Sequence, residues 1–253
     1  MDMKATDPAL KMRFDDMTEW DVRVQLAAAY RLVAHYGWDD LVFTHLSARV
    51  PGPEHHFLLN PYGMMFHEIT ASSLVKVDKD GNPVDSNGKI NPAGFTIHSA
   101  VHMAREKAGA VMHLHEPNGV AVSAQKEGLL PLSQTAMLCL PHLSFHEYEG
   151  VALNLDERER LIRDLGDKDM MLLWNHGVLT VGETVAQCFG NLYFFSKACE
   201  IQVRAGHGPY HLPSKEAIET TATQSKDGLG GAGKLAWPAL IRLLDERHPG
   251  FRD

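Results

Sequence analysis

The chain has 253 residues, of which 44% are hydrophobic and 22% charged, a composition that fits a globular protein with one large domain or two small ones. Its formal net charge of −8 argues against nucleic acid or an anionic membrane as the main partner. Three cysteines without C-x-x-C spacing, and no signal-peptide or membrane-span pattern, predict a cytoplasmic protein without a disulfide framework.

The first part of the chain predicts an arm, a helix and short strands. Residues 1–17 have no clear pattern and are interpreted as an N-terminal arm. A helix is expected from Thr18, with Asp21 as its capping-box partner, to Gly37, which ends it. Short strand-like runs follow at 46–50, 57–59 and 74–77.

The second part alternates between helical and strand patterns, which predicts a single α/β domain of three layers. Helices are expected at 93–107, from Pro117, at 156–166 and at 183–205, and strands at 110–115, 129–140, 143–148 and 170–174.

The tail after Gly206 is rich in Gly, Ser and Thr until an amphipathic segment at 235–244. Within it, 228–234 matches the spacing G-x-x-x-x-G-K, but Leu235 replaces the hydroxyl residue that would hold magnesium, so we interpret 228–234 as a flexible linker. The predicted domains are an arm at 1–17, a folded domain at 18–206 and a C-terminal extension with a final helix at 207–253.

Three of the 15 histidines are candidates for binding a metal ion. His113 and His115 lie two positions apart at a strand end, so both imidazoles face the same side. His176 directly follows another buried strand. Three histidine ligands leave a fourth coordination position open, as in catalytic zinc sites. The spacing also allows the pair to be two partly exposed strand histidines, because about sixty residues separate it from His176.

Five segments between about residues 20 and 206, taken in their order and spacing, resemble the class II aldolase/adducin family. They are Thr44-His45-Leu46-Ser47-Ala48-Arg49, Leu59-Asn60-Pro61-Tyr62-Gly63, Ile97-His98-Ser99-Ala100, Val111-Met112-His113-Leu114-His115 and Asn175-His176-Gly177. The resemblance implies a three-layer α/β/α sandwich around a mixed, largely antiparallel central sheet. It also implies a homotetramer with one divalent metal per chain, held by His113, His115 and His176. Zinc is expected, with manganese, iron or nickel as alternatives.

The resemblance also implies where the substrate binds and where this chain departs from the family's sugar-phosphate aldolases. Substrate contacts are expected at Thr44, His45, Ser47 and Gly63, although Thr44-His45 replaces the Gly-Asn pair of those enzymes. Their Ser-Ser-Glu, which binds phosphate and supplies the acid/base group, is replaced here by Pro92-Ala93-Gly94. The departure disfavours a phosphorylated substrate and resembles the adducin-head branch.

We therefore predict a metal-dependent lyase of aldolase, decarboxylase or dehydratase type, acting on a small, non-phosphorylated carbonyl or hydroxy-acid substrate. The alternatives are a non-catalytic interaction module of adducin-head type and a metal-dependent epimerase. Which residue replaces the missing carboxylate is open. The candidates are Glu116, His146, Tyr148 and Tyr210, and Glu116 has the alternative interpretation of a carboxylate that stabilises a helix N-terminus. We expect His98 to be buried and hydrogen-bonded near the site.

Overall fold

A seven-stranded sheet forms the centre of the computed structural model, which describes residues 7–85, 88–150, 156–225 and 228–253. Its strand order is β3-β2-β1-β4-β7-β6-β5. Within the described residues five pairings are antiparallel, and the β5–β6 pairing is parallel. The strands are β1 His45–Arg49, β2 Phe57–Leu59, β3 Val75–Val77, β4 Ala110–Leu114, β5 Leu143–His146, β6 Met170–Leu173 and β7 Gly177–Gly182. The predicted mixed, largely antiparallel sheet is confirmed.

Helices cover both faces of this sheet. They are α1 Glu19–His35, α2 Pro92–Ala104, α3 Pro117–Ser123, α4 Gln134–Cys139, α5 Glu157–Leu165, α6 Val185–Ala205, α7 Lys215–Gln224 and α8 Gly230–Arg247. The start of α1 follows the sequence prediction, since Thr18 and Asp21 form a capping box. None of the helices in the described ranges is long and apolar enough to span a bilayer.

Two separate cores show the three layers. Alternate residues of β4 point to opposite faces: Met112 belongs to one core and Val111 to the other. The Met112 core is filled by α1, α6 and α8, and the Val111 core by Ile97 of α2 and Leu161 of α5. His113 lies one position from Met112 and therefore faces the α2–α5 side. The predicted α/β/α sandwich is confirmed.

The strand predicted at 129–140 is wrong, because part of this run forms α4. Ser133 is the N-cap, and its hydroxyl accepts a hydrogen bond of 3.0 Å from the backbone N–H of Ala136. A short apolar run is compatible with a strand or a buried helix, and here the capping serine decides for the helix.

The flexible linker predicted at 228–234 is also wrong, because Gly230 begins α8. A Cβ on Gly233 would lie 2.7 Å from the Cα of Gly190 in α6, so two glycines allow these helices to cross in close contact. The final helix is longer than the predicted 235–244, and α7 precedes it. Trp237 is fully buried and donates a hydrogen bond to the carbonyl of Ala9.

Candidate metal centre

The sheet places the three candidate histidines together at one end of its neighbouring inner strands β4 and β7. His113 lies in β4, and His115 follows the end of that strand. Leu114 pairs with Val178 of β7, so the turn that carries His176, just before β7, lies beside His115. Gly177 must lack a side chain, because a Cβ there would lie 2.3 Å from the carbonyl oxygen of Leu114. The glycine after His176 therefore allows the two strands to approach.

The three imidazoles converge. One ligand atom from each of His113, His115 and His176 lies within 4.8 Å of the others. The Nε2 atoms of His113 and His115 are 3.2 Å apart. Two nitrogens bound to one tetrahedral zinc ion, each about 2.0–2.1 Å from it, are about 3.3 Å apart. The observed pair thus has the spacing of two ligands of one ion.

Hydrogen bonds on the far sides of two rings orient their free nitrogens. The Nδ1–H of His113 donates to the carbonyl of Val178 at 3.0 Å, and the Nδ1–H of His115 donates to Asp40 Oδ2 at 3.0 Å. A neutral imidazole with a proton on Nδ1 has its lone pair on Nε2. Both lone pairs therefore face each other, and this donor set fits a divalent cation.

Burial keeps the rings of His113 and His176 neutral. Desolvation, followed by the neighbouring His176 and His115, holds the pKa of His113 well below its usual value. Desolvation, with contributions from His115 and His146, lowers the pKa of His176 to about 4. At neutral pH both rings are therefore unprotonated and able to bind a cation.

A cavity of about 260 Å³ opens over the three histidines. Its other lining residues are Phe43, Thr44, His45, Asn91, Ile97, Tyr148 and Gly150. The ring centroid of Tyr148 lies 6.0 Å from that of His176. No lysine or arginine lines the cavity within the part of the chain that the structure describes.

The residues expected to contact substrate fall into two groups. Thr44 and His45 line the cavity. Ser47 is buried beneath it and bonds to His98 and His102, which also shows His98 buried and hydrogen-bonded as expected. Gly63 lies in a turn with φ +98° and is not among the lining residues.

The four candidate acid/base residues are also separated by the structure. Tyr148 alone among them lines the cavity. Glu116 is 2% exposed and caps α3, because its carboxylate accepts hydrogen bonds from two backbone N–H groups. This agrees with its alternative interpretation as a carboxylate that stabilises a helix N-terminus. His146 is buried and bonded to the carboxylate of Asp164. The hydroxyl of Tyr210 donates to the carbonyl of Gly206, away from the cavity.

Sequence reasoning missed Asp40 and Asn91. Asp40 orients His115 from 75 positions away in the chain, and Asn91 lines the cavity. No spacing rule links either residue to the histidines, because the contacts arise when separate loops meet.

Asp40→Asn is expected to lower the affinity for a divalent ion by about 10- to 100-fold, the usual cost of losing a carboxylate that orients a histidine ligand. Competition with a chromophoric chelator would measure this. Asp39→Asn, at the neighbouring carboxylate, is the matched control and should keep the parent affinity. Equal affinities for both variants would contradict the role assigned to Asp40.

Comparison with known proteins adds to this geometry. The model of the family described as Class II Aldolase and Adducin N-terminal domain matches residues 24–203. A protein of Caulobacter vibrioides named "Putative aldolase class 2 protein" is 58% identical over 239 residues, which cover 93% of each chain. Alpha-adducin of Rattus norvegicus is 36% identical over 285 residues, covering 100% of this chain but 39% of its own length. L-fuculose 1-phosphate aldolase from Glaciozyma antarctica has a solved structure with TM-score 0.78 and 28% identity, covering 91% of this chain and 92% of that one.

Proposed function

The chain belongs to the class II aldolase and adducin N-terminal domain family, and on this basis we propose that it is a metal-dependent lyase acting on a small, non-phosphorylated carbonyl or hydroxy-acid substrate. The observation that carries the proposal is the convergence of His113, His115 and His176 at a cavity of about 260 Å³. The similarity to an L-fuculose 1-phosphate aldolase over nearly the whole chain also supports a lyase.

His113, His115 and His176 would hold one divalent ion, which we propose to be zinc, with manganese, iron or nickel as alternatives. When bound, such an ion withdraws electron density from a substrate oxygen. The chain's own groups then bind and orient the substrate. Tyr148 brings a hydroxyl to the cavity beside His176, and Phe43 and Ile97 supply apolar surface that limits access of water.

The lack of cationic lining residues supports a non-phosphorylated substrate. A phosphate dianion is usually bound by arginine, lysine or several backbone N–H groups. The lining residues within the described chain are histidine, hydroxyl, amide and apolar groups. Pro92 and Gly94, at the positions where the resembling aldolases carry phosphate-binding and acidic groups, add no side-chain donor.

We also propose that the chain forms the homotetramer that the resemblance implies, and exposed apolar residues beside the cavity support assembly with further copies. Leu41 is 63% exposed and Phe43 is 43% exposed. Phe43 also lines the cavity, so a second copy that covers these residues would close its rim. Sedimentation velocity would test the oligomeric state.

A non-catalytic module of adducin-head type is the second candidate. The similarity to alpha-adducin across this chain favours it, as does the absence of a carboxylate among the described cavity-lining residues. A metal-dependent epimerase that uses the same centre is a third candidate.

Metal analysis and a substrate screen test the proposal. The purified protein should hold about one divalent ion per chain and should cleave, decarboxylate or dehydrate a member of a panel of hydroxy-carbonyl compounds and hydroxy acids. The activity should disappear with a chelator and return with zinc, and phosphorylated analogues should be poorer substrates. Stoichiometric metal without turnover of any panel member would favour the adducin-head alternative, and epimerised product would favour the third.

Glu116→Ala is expected to destabilise the fold by about 0.5–2 kcal/mol without changing metal affinity, because the side chain caps α3. Chemical denaturation would measure the loss. Ser133→Ala, which removes the cap of α4 away from the cavity, is the matched control and should behave alike. A fall in turnover for Glu116→Ala alone would instead place Glu116 in the reaction.

A further inference from the structure

A second cavity, of about 650 Å³, lies beside the first turns of α2. Its walls come from the turn after β3, from the segment that leads into α2, and from α5. Phe95 and Thr96 of α2 line the second cavity, whereas Ile97 lines the cavity over the three histidines. Among the described residues, none lines both cavities. The volume is within the range of about 300–1,000 Å³ that is usual for small-molecule sites.

Positive charge is concentrated in the second cavity. Lys79, Lys89 and Arg158 line it, and Asp80 is the carboxylate among its described lining residues. Lys79 and Asp80 form an ion pair with each other at 2.7 Å. The lining therefore has two more cations than carboxylates, although the chain as a whole has a formal net charge of −8. A cleft lined by one sign of charge attracts ligands of the opposite sign, here a ligand with two negative charges.

Arg158 of α5 is the cation that the fold holds in place. Its guanidinium lies over the ring of Phe95, with Cζ 5.5 Å from the ring centroid. The side chain is half-buried, and its Nε is buried without a hydrogen-bond partner. Burial lowers the pKa of Arg158, and the charge of Asp80 opposes this shift. Because a charge removed from water is costly unless it is paired, an anion beside the guanidinium would offset part of that cost.

The turn after β3 forms a fixed wall of the second cavity. Oδ1 of Asp78 accepts hydrogen bonds from the backbone N–H groups of Asp80 and Asn82, both at 2.9 Å. Gly81 has φ +88°, and a Cβ there would lie 3.0 Å from the ring of Phe95. The turn therefore packs against the same ring that the guanidinium covers, so the charged and apolar parts of the cavity adjoin each other.

The remaining lining residues are mostly apolar. Pro83, Ile90 and Pro92 line the second cavity together with Phe95. The segment that carries Ile90 is held by a hydrogen bond of 2.7 Å from the backbone N–H of Tyr62 to the carbonyl of the preceding residue. An inorganic anion would leave this apolar surface in contact with water. A ligand with both a charged group and an apolar body would cover it.

We propose that the second cavity binds a small organic dianion, with its charged group beside Lys89 and Arg158 and its apolar body against Ile90 and Phe95. Phosphate monoesters and dicarboxylates share this chemistry. The site goes beyond the proposed function, because it includes none of the three histidines and needs no metal ion. It is also separate from the substrate contacts that the resemblance implies.

Two dianions with an aromatic body, phenyl phosphate and phthalate, test the proposal by calorimetric titration. The full chain is titrated as purified, and again after its metal has been removed by a chelator and dialysis. At least one dianion should bind in both preparations, and added salt should weaken it. Benzyl alcohol, which has the ring without the charge, and inorganic phosphate, which has the charge without the ring, should each bind at least about tenfold more weakly. The tighter of the two dianions identifies phosphate or carboxylate as the preferred group.

Charge-removing variants locate the bound dianion. Arg158→Met and Lys89→Met should each weaken its binding by at least about tenfold, the loss expected for one charge-assisted hydrogen bond. Arg158→Lys, which keeps the charge, should retain more affinity than Arg158→Met. Arg163→Met, at an exposed arginine on the same helix, is the matched control and should retain the parent affinity. Far-UV circular dichroism shows whether each variant is folded, and Lys89 is exposed, so its replacement leaves the packing intact.

Three results would overturn the site. They are the failure of both dianions to bind, binding that is lost when the metal is removed, and equal affinities for the parent protein, Lys89→Met and Arg158→Met. None of these measurements depends on turnover or on the metal ion. A protein without lyase activity that binds the dianion would therefore overturn the proposed function alone, and a lyase that binds neither dianion would overturn the second site alone.

Discussion

His176→Ala is expected to lower the affinity for the divalent ion by at least about a hundredfold and to abolish turnover, while the chain stays folded. The substitution leaves two of three nitrogen donors, and a binding free energy of about 10–16 kcal/mol for a zinc site is shared among few ligands. His176 lies in the turn before β7 and belongs to neither of the two main cores, so its removal leaves the sheet and its packing intact.

Three measurements separate binding from folding in this variant. Chelator competition gives the affinity, far-UV circular dichroism gives the fold, and denaturant titration in EDTA gives the stability without metal. His207→Ala, at an exposed histidine in the tail, is the control and should match the parent protein in all three. Normal turnover by His176→Ala in metal-free buffer would remove the ion from the proposed mechanism.

The metal-free protein is expected to lose stability steeply as the pH falls below about 6.5. Burial lowers the pKa of five histidines: to about 3 for His45 and His102, to about 4 for His176, and well below the usual value for His98 and His113. In the unfolded chain these groups regain a pKa near 6.5. Below that pH they bind protons that the same groups do not bind in the folded chain. Each such histidine favours unfolding by about 1.4 kcal/mol per pH unit below 6.5, until the pH reaches its folded pKa.

The direction of this dependence is fixed by the sign of the shifts. The folded pKa values lie below the unfolded value, so full stability is present above pH 6.5 and is lost between there and about pH 3, the folded pKa of His45 and His102. Urea titrations in EDTA at pH 7.5 and 5.5 should differ by more than about 3 kcal/mol in unfolding free energy. His102→Asn should reduce this difference in unfolding free energy by the contribution of one buried histidine. His67→Asn, at an exposed residue, should leave the difference unchanged. A pH-independent unfolding free energy would contradict the burial of these rings as neutral groups.

The departure from the sugar-phosphate aldolases and the unusual His45 are structurally connected. Position 94, where the resembling enzymes carry a glutamate, is a glycine against which the His45 ring packs. A side chain at 94 and the present position of His45 exclude each other. The chain therefore has a histidine on β1 where a carboxylate on α2 would otherwise lie, and the cavity changes from acidic to neutral. This agrees with the proposed change of substrate.

Much of the architecture could be predicted because it depends on local patterns. The α1 capping box involves residues three positions apart, and the alternation of β4 places His113 and His115 on one side without knowledge of other elements. The errors occurred where local patterns were ambiguous. The apolar run at 129–140 was compatible with strand and helix, and the glycines at 228–234 had the composition of a linker although they pack at a helix crossing.

The sequence by itself determined six of the seven strands that the structure describes, most helices and the three candidate histidines, since hydrophobic periodicity and caps act within a few residues. It did not predict β7, Gly177–Gly182. Only the tertiary structure decided that His176 meets the pair at β4, that Asp40 orients His115, and that Glu116 is used as a helix cap. It also decided that His45 lies unpaired in the cavity. These are contacts between residues far apart in the chain. They depend on how separate strands and loops are packed, which no spacing along a single segment encodes.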